Sequence, residues 1–192
     1  IMRRVHSTIP AFVRETLPVL FFAATIEILA GMWLQANITL IASFLGAFIL
    51  LPALNNIRGS IAASTASQLA SHTHLGLIDL RRKNIDSNPD VKTIFESRRI
   101  LTLVLCIATG VGAFLLIPQA TFPHLLQLVG ISVVTGLVTG EILHVLLIQL
   151  LLLSHRRGWD PDNTLIPPIM ALGDLFTIIF IIFFLQILGG LA

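Results

Sequence analysis

"PPIMALGDLFTIIFIIFFLQILGG", residues 167–190, holds one charged side chain, Asp174, in twenty-four positions. A bilayer core is about 30 Å thick, and about 20 consecutive apolar residues cross it as a helix. The stretch therefore reads as a membrane-crossing helix with a carboxylate about one third of the way along. The rest of the chain has the same character. Of its 192 residues, 55% are hydrophobic and 11% are charged, and the mean hydropathy is +0.92. A soluble domain cannot hide that much apolar surface, so the fold class is an all-α integral membrane protein.

Working outward gives five membrane-crossing helices in one transmembrane domain spanning 1–192. The spans are about 15–35, 38–76, 99–117, 124–153 and 163–190. The second is too long for one straight crossing, because 39 residues extend about 58 Å as a helix. It contains "LPALNNIRGS", with Pro52, two Asn, Arg58 and Gly59. A broken helix is expected, with the break near 52–60. No cleavable signal peptide is read, since the first apolar run continues into further spans.

Lys and Arg set the orientation. Three lie at Arg3, Arg4 and Arg14, six within 81–99, and two at Arg156 and Arg157. The connections near 35–38 and 118–124 carry none. The N-terminus, the 77–98 loop and the 154–162 loop are therefore expected in the cytoplasm, with the C-terminus outside. The formal net charge of +2 says little beside this placement. Cys106 is the one cysteine and reads as a small buried hydrophobe.

Three acids fall inside spans: Glu27, Glu141 and Asp174. Such groups are costly at depth and face a bundle interior, a cavity or an ion path. For Glu27 and Glu141, a protonated acid bridging two helices and an ion or coupling site are equally open readings. His144 lies three residues after Glu141, on the same helical face. Asp174 has stronger company. Met170 and Thr177 share its face, Gly173 lets another backbone approach, and Pro167 and Pro168 free carbonyls one turn earlier. Carboxylate, hydroxyl and carbonyl oxygens are hard ligands suited to Mg²⁺ or Ca²⁺.

After the expected break, Ser60, Ser64, Ser67 and Ser71 form a hydroxyl row interleaved with alanines. Alone, such a row is ordinary close packing; beside a helix bearing Asp174 it suits an ion path. Arg58 is awkward for a cation and is expected to pair with Glu27 or to reach toward the cytoplasm. In "WDPDNT", Asp160 and Asp162 fit helix capping and could also concentrate cations at a pore mouth. His72 and His74 make a weak metal pair. "GLVTG" at 136–140 is a helix-packing signal. No Walker, GxSxG, HExxH or paired CxxC motif is present, which leaves no basis for an enzyme, and nothing suggests nucleic-acid binding.

"LPALNNIRGSIAASTASQLASHTHLGLIDL" followed by "DPDNTLIPPIMALGDLFTIIF" resembles the membrane domain of the MgtE family. It looks closest to the archaeal members and to the related eukaryotic magnesium carriers, solute carrier family 41. The resemblance covers residues 15–190. It implies divalent cation transport, chiefly of Mg²⁺, along a path between the second and fifth spans. Asp174 would attract the hydrated ion, Met170 would offer a backbone carbonyl, and Gly59, Ser60, Ala63 and Ser67 would be the polar positions after the break. Asparagines are expected at Ser60 and Ala63 in the bacterial pattern. A homodimer is also implied; a prokaryotic plasma membrane and a separate cytoplasmic regulatory partner are expectations beside the resemblance. Two other functions compete: a proton- or sodium-coupled exporter using Glu27 and Glu141, and a membrane assembly subunit without transport.

Overall fold

The computed structural model describes residues 2–78 and 85–189, with side chains described from residue 13 onward apart from 15, 86, 162, 163, 188 and 189. Among these residues every regular element is helical. In chain order they are α1 (Met2–Ala36), α2 (Ile38–Ser43), α3 (Ala47–His74), α4 (Pro89–Leu115), α5 (Phe122–Arg157), α6 (Pro161–Thr164) and α7 (Ile166–Gly189), with a 3₁₀ turn at Ile85–Ser87.

Capping chemistry sets several of these limits. Asn88 accepts a hydrogen bond from the Asp90 backbone N–H at 2.8 Å, and Pro89 follows at the first helical position. This starts α4 ten residues before the apolar run expected at 99. Consequently much of the expected 77–98 loop is helical, and its centre, 79–84, lies outside the described residues. Thr121 and His124 cap α5, with the Thr121 N–H donating to His124 Nδ1 at 3.2 Å. Gly158, at φ +65°, ends it.

The break expected near 52–60 is elsewhere. α3 runs without interruption from Ala47 to His74, through Pro52, Asn55, Asn56 and Gly59. The chain bends instead at 44–46, between α2 and α3, where Gly46 takes φ +89°. Only glycine adopts that conformation cheaply, whereas one proline in the second turn of a packed helix removes a single hydrogen bond. The bend therefore follows the glycine at 46 and not the proline at 52.

Among the described residues, four helices are long and apolar enough to cross a membrane: Thr16–Ala36, Pro89–Leu115, Phe122–Arg157 and Ile166–Ile187. α3, the second expected span, has the length at about 42 Å, but Asn55, Asn56, Arg58, Gln68 and its hydroxyls lower its hydropathy.

Two apolar clusters occupy opposite ends of the bundle. One joins Ala30, Ile41, Leu50, Ala113, Leu128 and Leu185. The other joins Leu69, Ile78, Val91, Leu151, Leu165 and Ile169. The end of α1, the start of α3, the end of α4, the start of α5 and the end of α7 thus meet at one pole. Successive long helices alternate in direction. α7 packs against α1, α3 and α5, while α4 and α5 form a close pair. Small residues permit that pairing: a Cβ on Gly110 would come within 2.6 Å of the Val129 backbone, and Gly136 faces Cys106 while Gly140 faces Arg98. The "GLVTG" segment is therefore a packing element, as expected.

Candidate functional site

Between the two apolar clusters lies a polar layer. On α3 it falls between Leu54 and Ala62, and on α7 between Ile169 and Ile178. Its centre is an ion pair: Arg58 of α3 donates through Nη2 to Oδ1 of Asp174 on α7. The Arg58 side chain is 7% exposed and that of Asp174 is 25% exposed. Asp174 lies eight residues after Ile166, about 12 Å into α7. An ion pair in a low-dielectric interior holds together because separating the charges leaves each one uncompensated.

Gly173 makes this pairing sterically possible. A Cβ there would overlap the Arg58 guanidinium. The space beside Gly173 is filled by a side chain and not by the neighbouring backbone expected from the glycine alone. Arg58 Nε and Nη1 have no hydrogen-bond partner among the described residues. Beside them is a cavity of about 10 Å³ lined in part by Thr102, Thr135 and Thr177. Thr177 is buried, and its hydroxyl, like that of Thr135, is also unpartnered.

Glu27 of α1 joins the same layer. It lies close enough to Asp174 and Arg58 to feel the charge of both, and its side chain is exposed. Three charged groups from three helices therefore converge. Expectation had Arg58 pairing with Glu27 or reaching away; its hydrogen-bonded partner is Asp174.

The remaining predicted positions fall on the rim. Gly59 is buried, and Met170 packs over it, with Cε 3.4 Å from the position of a glycine Cβ. Met170 is 40% exposed. Pro52, Asn56, Ser60, Ser64, Ser67 and Ser71 all lie on the exposed face of α3, one turn apart. The hydroxyl row is thus turned outward rather than packed between helices. Ala63 is half-buried.

Glu141 is not part of this cluster. It accepts from Arg99 Nε at 2.8 Å and Arg99 Nη2 at 2.7 Å, and from Arg98 Nη2 at 3.0 Å. His144 stacks on Phe95 with ring centroids 3.5 Å apart, and its Nδ1 is 4.0 Å from Glu141. This group ties α5 to α4. Asp160 lies 3.5 Å from His74 Nε2, which brings the end of α3 to the start of α6. The Asp162 side chain lies outside the described residues. Pro167 and Pro168 sit in the first turn of α7, where a missing N–H costs little.

Among the described residues no group of three or more His, Cys, Asp or Glu side chains could hold a metal ion directly. What the polar layer offers is a partly open carboxylate with a second acidic side chain near it, and α3 separately carries an outward row of hydroxyls. Such a surface suits a cation that keeps most of its water.

Comparison with known proteins points the same way. The model of the MgtE family, described as a divalent cation transporter, matches residues 51–184. Solute carrier family 41 member 2 of Gallus gallus is 26% identical over 137 residues, covering 68% of this chain and 23% of that protein. The Homo sapiens member 2 is 25% identical over the same length. Solute carrier family 41 member 3 of Mus musculus is 28% identical over 132 residues, covering 67% of this chain and 27% of that protein. The chain spans about a quarter of the length of the curated relatives it matches. No solved structure matches it.

Proposed function

The chain belongs to the MgtE family of divalent cation transporters, and we propose that it forms a membrane path for a divalent cation, chiefly Mg²⁺, between α3 and α7. The observation that carries this reading is a partly exposed carboxylate, Asp174, inside a membrane-length helix, joined to Arg58 of α3 at the level where Met170 of α7 packs over Gly59; α3 also carries an outward row of hydroxyls. Hydroxyl and amide groups on an outward face are disfavoured against hydrocarbon. They are accommodated if that face lines water.

A second copy of the chain, related by a two-fold axis along the membrane normal, would enclose the row and turn an open face into a passage. In that passage Asp174 supplies the attracting charge, and Glu27 adds to it. Ser60 and Ser67 hold the water shell and the Met170 carbonyl adds an oxygen, whereas Thr177 is buried inside the bundle and lies off this outward face. Mg²⁺ releases water reluctantly, so a path of few direct ligands fits the ion.

Five crossings follow if α3 joins the four apolar helices. The alternating direction of the long helices supports that count. Arg3, Arg4 and Arg14 ahead of the apolar span Thr16–Ala36, and the basic residues at 81–99 and 156–157, support a cytoplasmic N-terminus and an outside C-terminus. The location proposed with it is a prokaryotic plasma membrane, crossed several times.

One observation favours a variant of this reading. Glu27 adjoins Asp174, so a coupling proton or sodium ion could share the site. Glu141, held by two arginines, has no free role of that kind. Mg²⁺ uptake into proteoliposomes tests the path. Ser60→Leu and Ser67→Leu are expected to lower uptake while leaving the melting temperature in detergent unchanged. Uptake equal to wild type in both variants would remove the hydroxyl row from the path. Dependence of uptake on an imposed pH or Na⁺ gradient would select the coupled form.

A further inference from the structure

The Asp174 carboxylate already has a cation. Arg58 is tethered to α3, buried, and hydrogen-bonded to the very oxygen that a transported ion would use. Gly173 is shaped to admit it. Among the described residues the arginine's Nε and Nη1 have no hydrogen-bond partner. Its strong polar contact is the acceptor it shares with the proposed cargo.

We infer that Arg58 is a specificity-determining residue: a built-in monovalent competitor that excludes free monovalent ions from Asp174 and leaves the site to divalent ones. This rests on the proposed role of Asp174 as the cation-attracting group. The physical reason is a difference in charge. A K⁺ or Na⁺ ion offers Asp174 nothing beyond what the guanidinium supplies, and it forfeits hydration to do so. A divalent ion brings twice the charge to the Asp174 carboxylate, and so can share or displace the arginine. The cost is affinity, because a fixed positive charge beside the site opposes every incoming cation.

The test is a Mg²⁺ titration of the purified full chain in detergent, run in a choline buffer and again in a K⁺ buffer of equal ionic strength. Four proteins are compared: wild type, Arg58→Gln, Arg58→Lys and Asp174→Asn. Wild type and Arg58→Lys are expected to bind Mg²⁺ equally well in both buffers. Arg58→Gln is expected to bind about tenfold or more tightly in choline and to lose that gain in K⁺. If Arg58→Gln does not yield a monodisperse protein, Gly173→Ala serves instead. It keeps the arginine but denies the guanidinium its seat, and the same gain and the same K⁺ sensitivity are expected.

Unchanged or weaker Mg²⁺ affinity on neutralising or unseating Arg58, with binding lost in Asp174→Asn, overturns the competitor role and leaves the role of Asp174 standing. Tighter binding without K⁺ sensitivity also overturns the specificity role. If Asp174→Asn titrates like wild type, the reading of Asp174 and the inference fall together.

Discussion

Gly173 is the space in which the Arg58 guanidinium sits: a β-carbon at that position would overlap it. The residue next to the carboxylate therefore admits the charge that neutralises it, and α3 and α7 are locked at this level by an ion pair rather than by apolar packing. The pair is buried on the arginine side, so removing one partner is far worse than removing both.

That asymmetry is measurable. Asp174→Leu alone is expected to destabilise the protein by about 3–5 kcal/mol, because Arg58 is left buried and uncompensated. Adding Arg58→Met should restore most of the loss. Unfolding in detergent for the two single variants and the double variant gives the comparison. Additive losses would mean that the two side chains do not act as a pair.

The cluster around Glu141 makes the opposite prediction for transport. Arg99 is 51% exposed, so Arg99→Ala should cost no more than about 1 kcal/mol. Arg98 is 6% exposed on its side chain, and Glu141→Ala, which strips its partner, should cost about 1–3 kcal/mol. Mg²⁺ flux per folded protein should remain near wild type in both. A large loss of flux in a stably folded Glu141 variant would return Glu141 to the ion path.

The bend between α2 and α3 depends on one residue. Gly46→Ala places a β-carbon at φ +89° and 2.6 Å from Ile117 Cδ1, and a loss of about 1–3 kcal/mol is expected. Gly130→Ala is the control. Its β-carbon meets no atom within 4 Å in the helical interior of α5, so it should be neutral or stabilising by up to about 1 kcal/mol. Equal losses at both positions would contradict the assignment of the bend to Gly46.

Much of this organisation is legible in the sequence, for identifiable reasons. Apolar runs of membrane length mark α1, α4, α5 and α7, because a helix in hydrocarbon must be apolar along its whole crossing. The outward hydroxyl row on α3 follows from three- and four-residue spacing. Which face was outward did not, since serine fits packing and solvation alike. The partnership of Arg58 with Asp174 joins residues 116 positions apart and depends on how α3 and α7 pack. Its one local trace was Gly173, and a glycine does not say whether backbone or side chain fills its space. The start of α4 was missed for a simpler reason: hydropathy registers the membrane, whereas Asn88 and Pro89 set the helix.

The most direct measurement is Mg²⁺ flux into proteoliposomes carrying equal amounts of folded wild type and Asp174→Asn. The asparagine keeps an acceptor for Arg58 and removes only the charge, so it separates attraction of the cation from integrity of the fold. Flux should fall about tenfold or more, with the melting temperature in detergent lowered but the protein still monodisperse. Undiminished flux in Asp174→Asn would contradict the central role of that carboxylate.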